Sequence, residues 1–76
     1  MNKNDIITFL NVKSSFTKGG IFDYFEEIDI KESIVIYLSV NDNDITININ
    51  NDCVKTVSFI EFIKLYNNSE LNNICD

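Results

Sequence analysis

Five carboxylates crowd into the ten residues from Asp23 to Glu32, namely Asp23, Glu26, Glu27, Asp29 and Glu32, with only Lys31 opposing them. A second group, Asp42, Asp44 and Asp52, brackets a turn and the strand that follows it. Carboxylates at close spacing can do three kinds of chemistry: acid–base hydrolysis, cation binding, or standing in for phosphates. Hydrolysis of the glycosidase kind needs one acid buried in a substrate cleft with its pKa raised. A chain of 76 residues leaves little room for such a cleft, and it has no Trp to serve as a sugar platform. The chain is therefore not read as an enzyme. Calcium binding fails on the motif: Asp42-Asn43-Asp44-Ile45-Thr46 resembles the opening of a calcium loop, but that loop needs Gly at its sixth position and Glu at its twelfth. Here those positions hold Ile47 and Cys53.

The third use agrees with the charge of the whole chain. Twelve Asp and Glu face six Lys, the formal net charge is -6, and there is neither Arg nor His. A field of this sign attracts basic partners and repels nucleic acid and acidic membranes. The absent His and Arg remove the usual general base, metal ligand and phosphate clamp. No cofactor or metal is implied, since Cys53 and Cys75 stand 22 residues apart without CxxC spacing or a histidine. Lys18-Gly19-Gly20 lacks the spacing of a phosphate loop and reads as a turn.

These residues must be positioned by a small fold. At this length one compact domain over residues 1–76 is expected, burying only roughly 60% of the surface its unfolded chain exposes. A helix is expected over Asn4 to Ser14, with Asn4 as cap, Asp5 at the positive end of the dipole, and Ile6, Ile7, Phe9 and Leu10 on an apolar face. The segment Ile21 to Ile30 mixes helical and strand spacing and is read as a strand over about Tyr24 to Ile30, with Lys31-Glu32-Ser33 as a turn. Ile34 to Val40 is the clearest strand. Asn41-Asp42-Asn43-Asp44 reads as a turn, and Ile45 to Asn50 alternates strictly, Ile45, Ile47 and Ile49 against Thr46, Asn48 and Asn50. Val54 to Val57 adds a short strand. Ser58 and Glu61 form a capping box, with Val57 and Phe62 placed as a hydrophobic staple, so a helix from Phe59 to about Tyr66 follows. Ser69 caps a last turn. The fold class is α+β: a three- to four-stranded antiparallel sheet against helices, in the order α-β-β-β-(β)-α-α.

On that frame Glu27 and Asp29 fall on the outer face of their strand, about 6.6–6.8 Å apart, a repeat comparable to neighbouring phosphates along a nucleic-acid strand. Such an edge suits the basic groove of a nucleic-acid-binding protein; the alternative is a solvated face that discourages edge pairing. Tyr37 lies on the face opposite Ile34, Ile36 and Leu38. It is either an exposed anchor among Thr46, Asn48 and Asn50 or buried by helices on both faces. Phe59, Phe62, Ile63 and Tyr66 are read as core. The N-terminal Met1-Asn2-Lys3-Asn4-Asp5 lacks the pattern of a signal peptide, and no apolar run is long enough to span a bilayer. A cytoplasmic setting with both cysteines as free thiols is expected. Thirteen Ile and twelve Asn beside no Pro and no Arg suggest an AT-rich genome, a low-GC bacterium or its phage.

With its short Asn4-Asp5-Ile6-Ile7 helix, antiparallel sheet and closing helices, the chain resembles the small acidic anti-CRISPR inhibitors encoded by phages and mobile elements, including the members that mimic DNA. It departs from the DNA mimic in having no long acid-rich loop before the final helix. The resemblance implies that surface carboxylates, here Glu26, Glu27, Asp29, Asp42 and Asp44, replace phosphates in the groove of a CRISPR effector. Taken with Asp23, Glu32 and Tyr37, these are the expected partner-binding residues. Two other functions remain open: an immunity or antitoxin-like protein neutralising a cationic nuclease or toxin, and an accessory subunit that oligomerises, for example as a homodimer. None of the three calls for direct nucleic-acid or membrane binding.

Overall fold

The computed structural model describes residues 1–13, 15–29 and 34–75, with the side chains of residues 28 and 29 left out of the description. Its elements are α1 (Lys3–Val12), β1 (Thr17–Lys18), β2 (Asp23–Asp29), β3 (Ile34–Val40), β4 (Asp44–Ile49), β5 (Cys53–Ser58) and α2 (Phe59–Asn67), followed by a 3-10 turn at Leu71–Asn73. The strands form one sheet in the order β1-β2-β3-β4-β5, with every pair antiparallel. The fold is therefore α+β. Its sheet has five strands rather than three or four. The additional strand is β1, where the sequence suggested a turn; Thr17 and Lys18 pair with Phe25 and Tyr24 before Gly19 and Gly20 turn the chain. α1 ends at Val12, with Lys13 extended as its C-cap, short of the end expected at Ser14; the turn expected at Lys31-Glu32-Ser33 and the strand end expected at Ile30 lie outside the described residues.

The cap of α1 lies two residues earlier than the sequence suggests, and the helix starts at Lys3. Asn2, not Asn4, is the cap: its Oδ1 accepts from the Asp5 backbone N–H at 3.0 Å while Asp5 Oδ2 accepts from the Asn2 N–H at 3.0 Å. That reciprocal box satisfies two end donors, where a cap at Asn4 has no acid three residues on to answer it. α2 starts at Phe59 as expected, but only half of the expected capping box forms: Ser58 Oγ accepts from Glu61 N–H at 3.1 Å, without the return bond from the Glu61 side chain. Ser69 does not cap the last turn; its backbone takes a φ of 56° and Glu70 occupies the cap position without a side-chain bond.

β4 stops at Ile49 because Asn50 and Asn51 enter the left-handed region, with φ of 54° and 62°. Asn tolerates that region well, and two such residues in succession match the right-handed twist of a hairpin. Asp52 N–H closes the turn onto Ile49 O at 3.0 Å.

Alternation then sorts the sheet into two faces. Tyr24, Ile36, Leu38, Val40, Ile45 and Ile47 point inward and are all buried, packed with Ile6 and Leu10 of α1, Phe59 and Phe62 of α2, and Phe16 and Leu71. Tyr24 O–H donates to Asn11 Oδ1 at 2.8 Å, tying α1 to the sheet, and burial raises its pKa above the ordinary 10.0. Both helices thus cover the same face. Cys53 and Cys75, expected as free thiols, are joined in a disulfide with Cα atoms 6.2 Å apart, within the usual range for such a bond. The pairing arises because the 3-10 turn folds the chain after α2 back to the start of β5, a long-range approach that residue spacing does not reveal. Among the described residues, no helix is long and apolar enough to cross a membrane.

Candidate interaction face

Among the described residues, nothing covers the face of the sheet away from the helices. Cross-strand register places Thr17, Phe25, Tyr37, Asn48 and Val54 in one row across it. The next row holds Asp23, Ser39, Thr46 and Thr56, and the edges carry Glu27 with Val35 and Asp44 with Ser58. Phe25 is 36% exposed, Tyr37 44% and Val54 58%. The Phe25 and Tyr37 rings stand 6.4 Å apart, inclined at 41°. They border an open depression of about 490 Å³ also lined by Asp23, Ser39, Thr46 and Asn48.

The polar groups around this depression are held in place. Asn41 Nδ2 donates to Asp44 Oδ1 at 2.6 Å and to Thr46 Oγ1 at 3.1 Å. The Thr46 and Thr56 hydroxyls share a hydrogen bond at 3.1 Å. Asn48 is fixed through Asn51, accepting from its backbone N–H at 2.9 Å and donating to its Oδ1 at 3.2 Å. Three carboxylates, Asp23, Glu27 and Asp44, lie on this face by register, and among the described residues of the strands no Lys does. Lys18 pairs with inward-facing Tyr24, and Lys55 with inward-facing Ile47.

The other expected partner-binding residues lie elsewhere. Asp42 sits at the tip of the β3–β4 hairpin, at the same end as Asp23 and Asp44, and forms an ion pair with Lys3 at 3.5 Å. Lys3 Nζ is also 3.7 Å from the centroid of the Phe22 ring. Glu26 has the opposite parity to Glu27. It pairs with Ile36 on the helix side, half-buried in a separate cleft of about 540 Å³ with Ser15, Tyr66, Asn67 and Leu71. Grouping it with Glu27 on one acidic surface is thus corrected by the strand's own alternation. The expected Glu27–Asp29 repeat is corrected too. Glu27 pairs with Val35 but Asp29 with Ile34, so the register shifts between them and the two-residue repeat is broken. The Asp29 side chain and all of Glu32 lie outside the described residues. The face holds two exposed apolar residues that the charge pattern passes over, Phe25 and Val54. The signal for Phe25 is its shared parity with Asp23 and Glu27.

Burial of Glu26 penalises its charged form and raises its pKa above the ordinary 4.5. The folded protein therefore binds this proton more readily than the unfolded chain does. Below the unfolded value the side chain imposes no penalty; as pH rises through the raised folded value it opposes folding. Glu26→Gln is expected to be more stable than the parent at neutral pH, with the advantage disappearing well below pH 4.5. Urea midpoints for both proteins across that range check this, and an advantage independent of pH would contradict it.

Comparison with known protein families, curated proteins and solved structures finds no match to this chain.

Proposed function

We propose that this chain is a non-enzymatic binding protein that uses the uncovered sheet face to occupy a basic surface of a nucleic-acid-handling protein and so inhibits it. The supporting observation is the asymmetry of that face: Asp23, Glu27 and Asp44 surround the Phe25–Tyr37 pair, with no Lys on the described strands facing the same way. Carboxylates of one sign steer encounter with a basic partner, and exposed aromatic rings slow its release. The anti-CRISPR resemblance points the same way, with a CRISPR effector as the partner. An immunity or antitoxin role would use the same chemistry on a cationic nuclease or toxin. β5, at the edge of the sheet, keeps Lys55 among its inward positions, a placement that disfavours pairing with a second copy.

The test is capture from bacterial lysate on immobilised protein, eluted by a salt gradient and identified by mass spectrometry. A nucleic-acid-binding protein released by salt is expected, because screening shortens charge interactions to about 8 Å at physiological ionic strength. The double variant Asp23→Lys with Glu27→Lys should lose that protein, whereas Glu70→Lys should retain it. Capture indifferent to salt, or equal loss with all three substitutions, would overturn the reading.

A further inference from the structure

Resting on that reading, the chemistry of the depression specifies which basic group it receives. We propose that it takes an arginine side chain of the partner, with the guanidinium stacked against Phe25 and Tyr37 and directed at the Asp23 carboxylate. Three observations converge on this site. The rings are part-exposed, separated by 6.4 Å at a 41° tilt, and both line an open depression. Asp23 lines the same depression and stands two residues from Phe25 on the same face of β2. At the repeat of a strand that is about 6.6–6.8 Å, within reach of a guanidinium lying across a ring. The hydroxyl of Thr46 and the amide of Asn48 are already oriented by their neighbours, so their ordering is not deferred to binding.

The same features select arginine over lysine. A guanidinium is planar, weakly hydrated and able to present two parallel N–H groups to a carboxylate while its face rests on an aromatic ring. An ammonium is compact and strongly hydrated, and loses more water on entering a site floored by rings. The occupant must also be another molecule, since this chain contains no arginine. A second copy cannot fill the depression by this chemistry, so the face belongs to a heterologous partner.

The experiment is a titration of isotope-labelled protein followed by amide chemical shifts. The probes are three short blocked peptides, identical except for a central Arg, Lys or citrulline. The Arg peptide is expected to move the amides of Asp23, Phe25, Tyr37 and Asn48, with an affinity on the order of millimolar for one anchoring residue. The Lys peptide should bind about threefold more weakly and the uncharged citrulline peptide about tenfold more weakly. Tyr37→Ala and Asp23→Asn should each weaken the Arg peptide by several-fold, with Tyr37→Phe restoring affinity because it keeps the ring. These side chains are exposed or at the sheet edge, and unchanged spectra elsewhere will report that the fold is kept. Equal response to Arg and Lys, shifts confined to another surface, or no shifts at all would overturn the inference. Should a salt-released partner still be captured under any of those outcomes, the arginine assignment fails while the wider binding reading stands. If the capture is also indifferent to salt, both fail.

Discussion

Replacing Phe62 with Ala should remove about 3–5 kcal/mol of folding stability, the cost of truncating a fully buried aromatic residue. Phe62 has no exposed surface and its ring meets Phe9 of α1 edge-on within the core. Its ring centroid is 6.4 Å from those of Phe9, Phe16 and Tyr66, and Tyr66 in turn stands 5.5 Å from both Phe9 and Phe16. Truncation opens a void that the three aromatic neighbours cannot all move to fill, since α1 and α2 are each anchored on the sheet by other buried residues. For 76 residues the total stability is about 4–11 kcal/mol. The loss therefore takes a large fraction of what holds the chain together. Ile60 is the internal control: it lies on the same helix but is 57% exposed, so Ile60→Ala should change stability by only about 0.5 kcal/mol. Urea denaturation followed by far-UV circular dichroism measures both. Comparable losses at the two positions would mean that α2 does not dock as described.

That contrast between Phe62 and Ile60 was legible in the sequence, because local rules decide it. Ser58 and Glu61 start the helix, and the helical period then selects the inward side chains. The alternation of Ile45, Ile47 and Ile49 was equally readable, since neighbours two apart on a strand share a face whatever else the chain does. Tyr37 needed one further fact, that both helices cover the same side of the sheet. Periodicity is silent on that, because an apolar stripe says that a helix is covered and not by which partner.

The acidic cluster divides between faces for a different reason. Asp23, Glu26, Glu27 and Asp29 are close in sequence, but a strand separates adjacent residues onto opposite faces, and a register shift interrupts the pattern before Asp29. Parity alone would have taken Glu26 out of the group and brought Phe25 in. β1 was invisible for a thermodynamic reason: two residues cannot specify a strand, and Thr17 and Lys18 are extended because β2 offers them a partner.

Reduction of the Cys53–Cys75 disulfide should lower stability by about 3 kcal/mol, from the closure entropy of a loop with a sequence separation of 22. At this chain length that corresponds to a fall in Tm on the order of 10–20 °C. The bond ties the segment after α2 to the first residue of β5, and within the loop Leu71 is buried in the core. Freeing Cys75 lets that segment fray and exposes Leu71, so the loss should exceed that of cutting a link between two surface loops. Thermal melts with and without a thiol reductant measure the effect, and Cys53→Ser should reproduce the reduced protein without reductant. A reductant-insensitive Tm would show that the pair adds nothing. Cys53 pairs with Ile49 on the helix-facing side of the sheet, behind the face that carries Phe25 and Tyr37. At temperatures where both forms are folded, the reduced protein should therefore bind the arginine peptide as the oxidised one does. Stability and recognition would then respond to different chemistry: thiol redox state would set how much folded protein exists, and ionic strength would set how firmly it holds its partner.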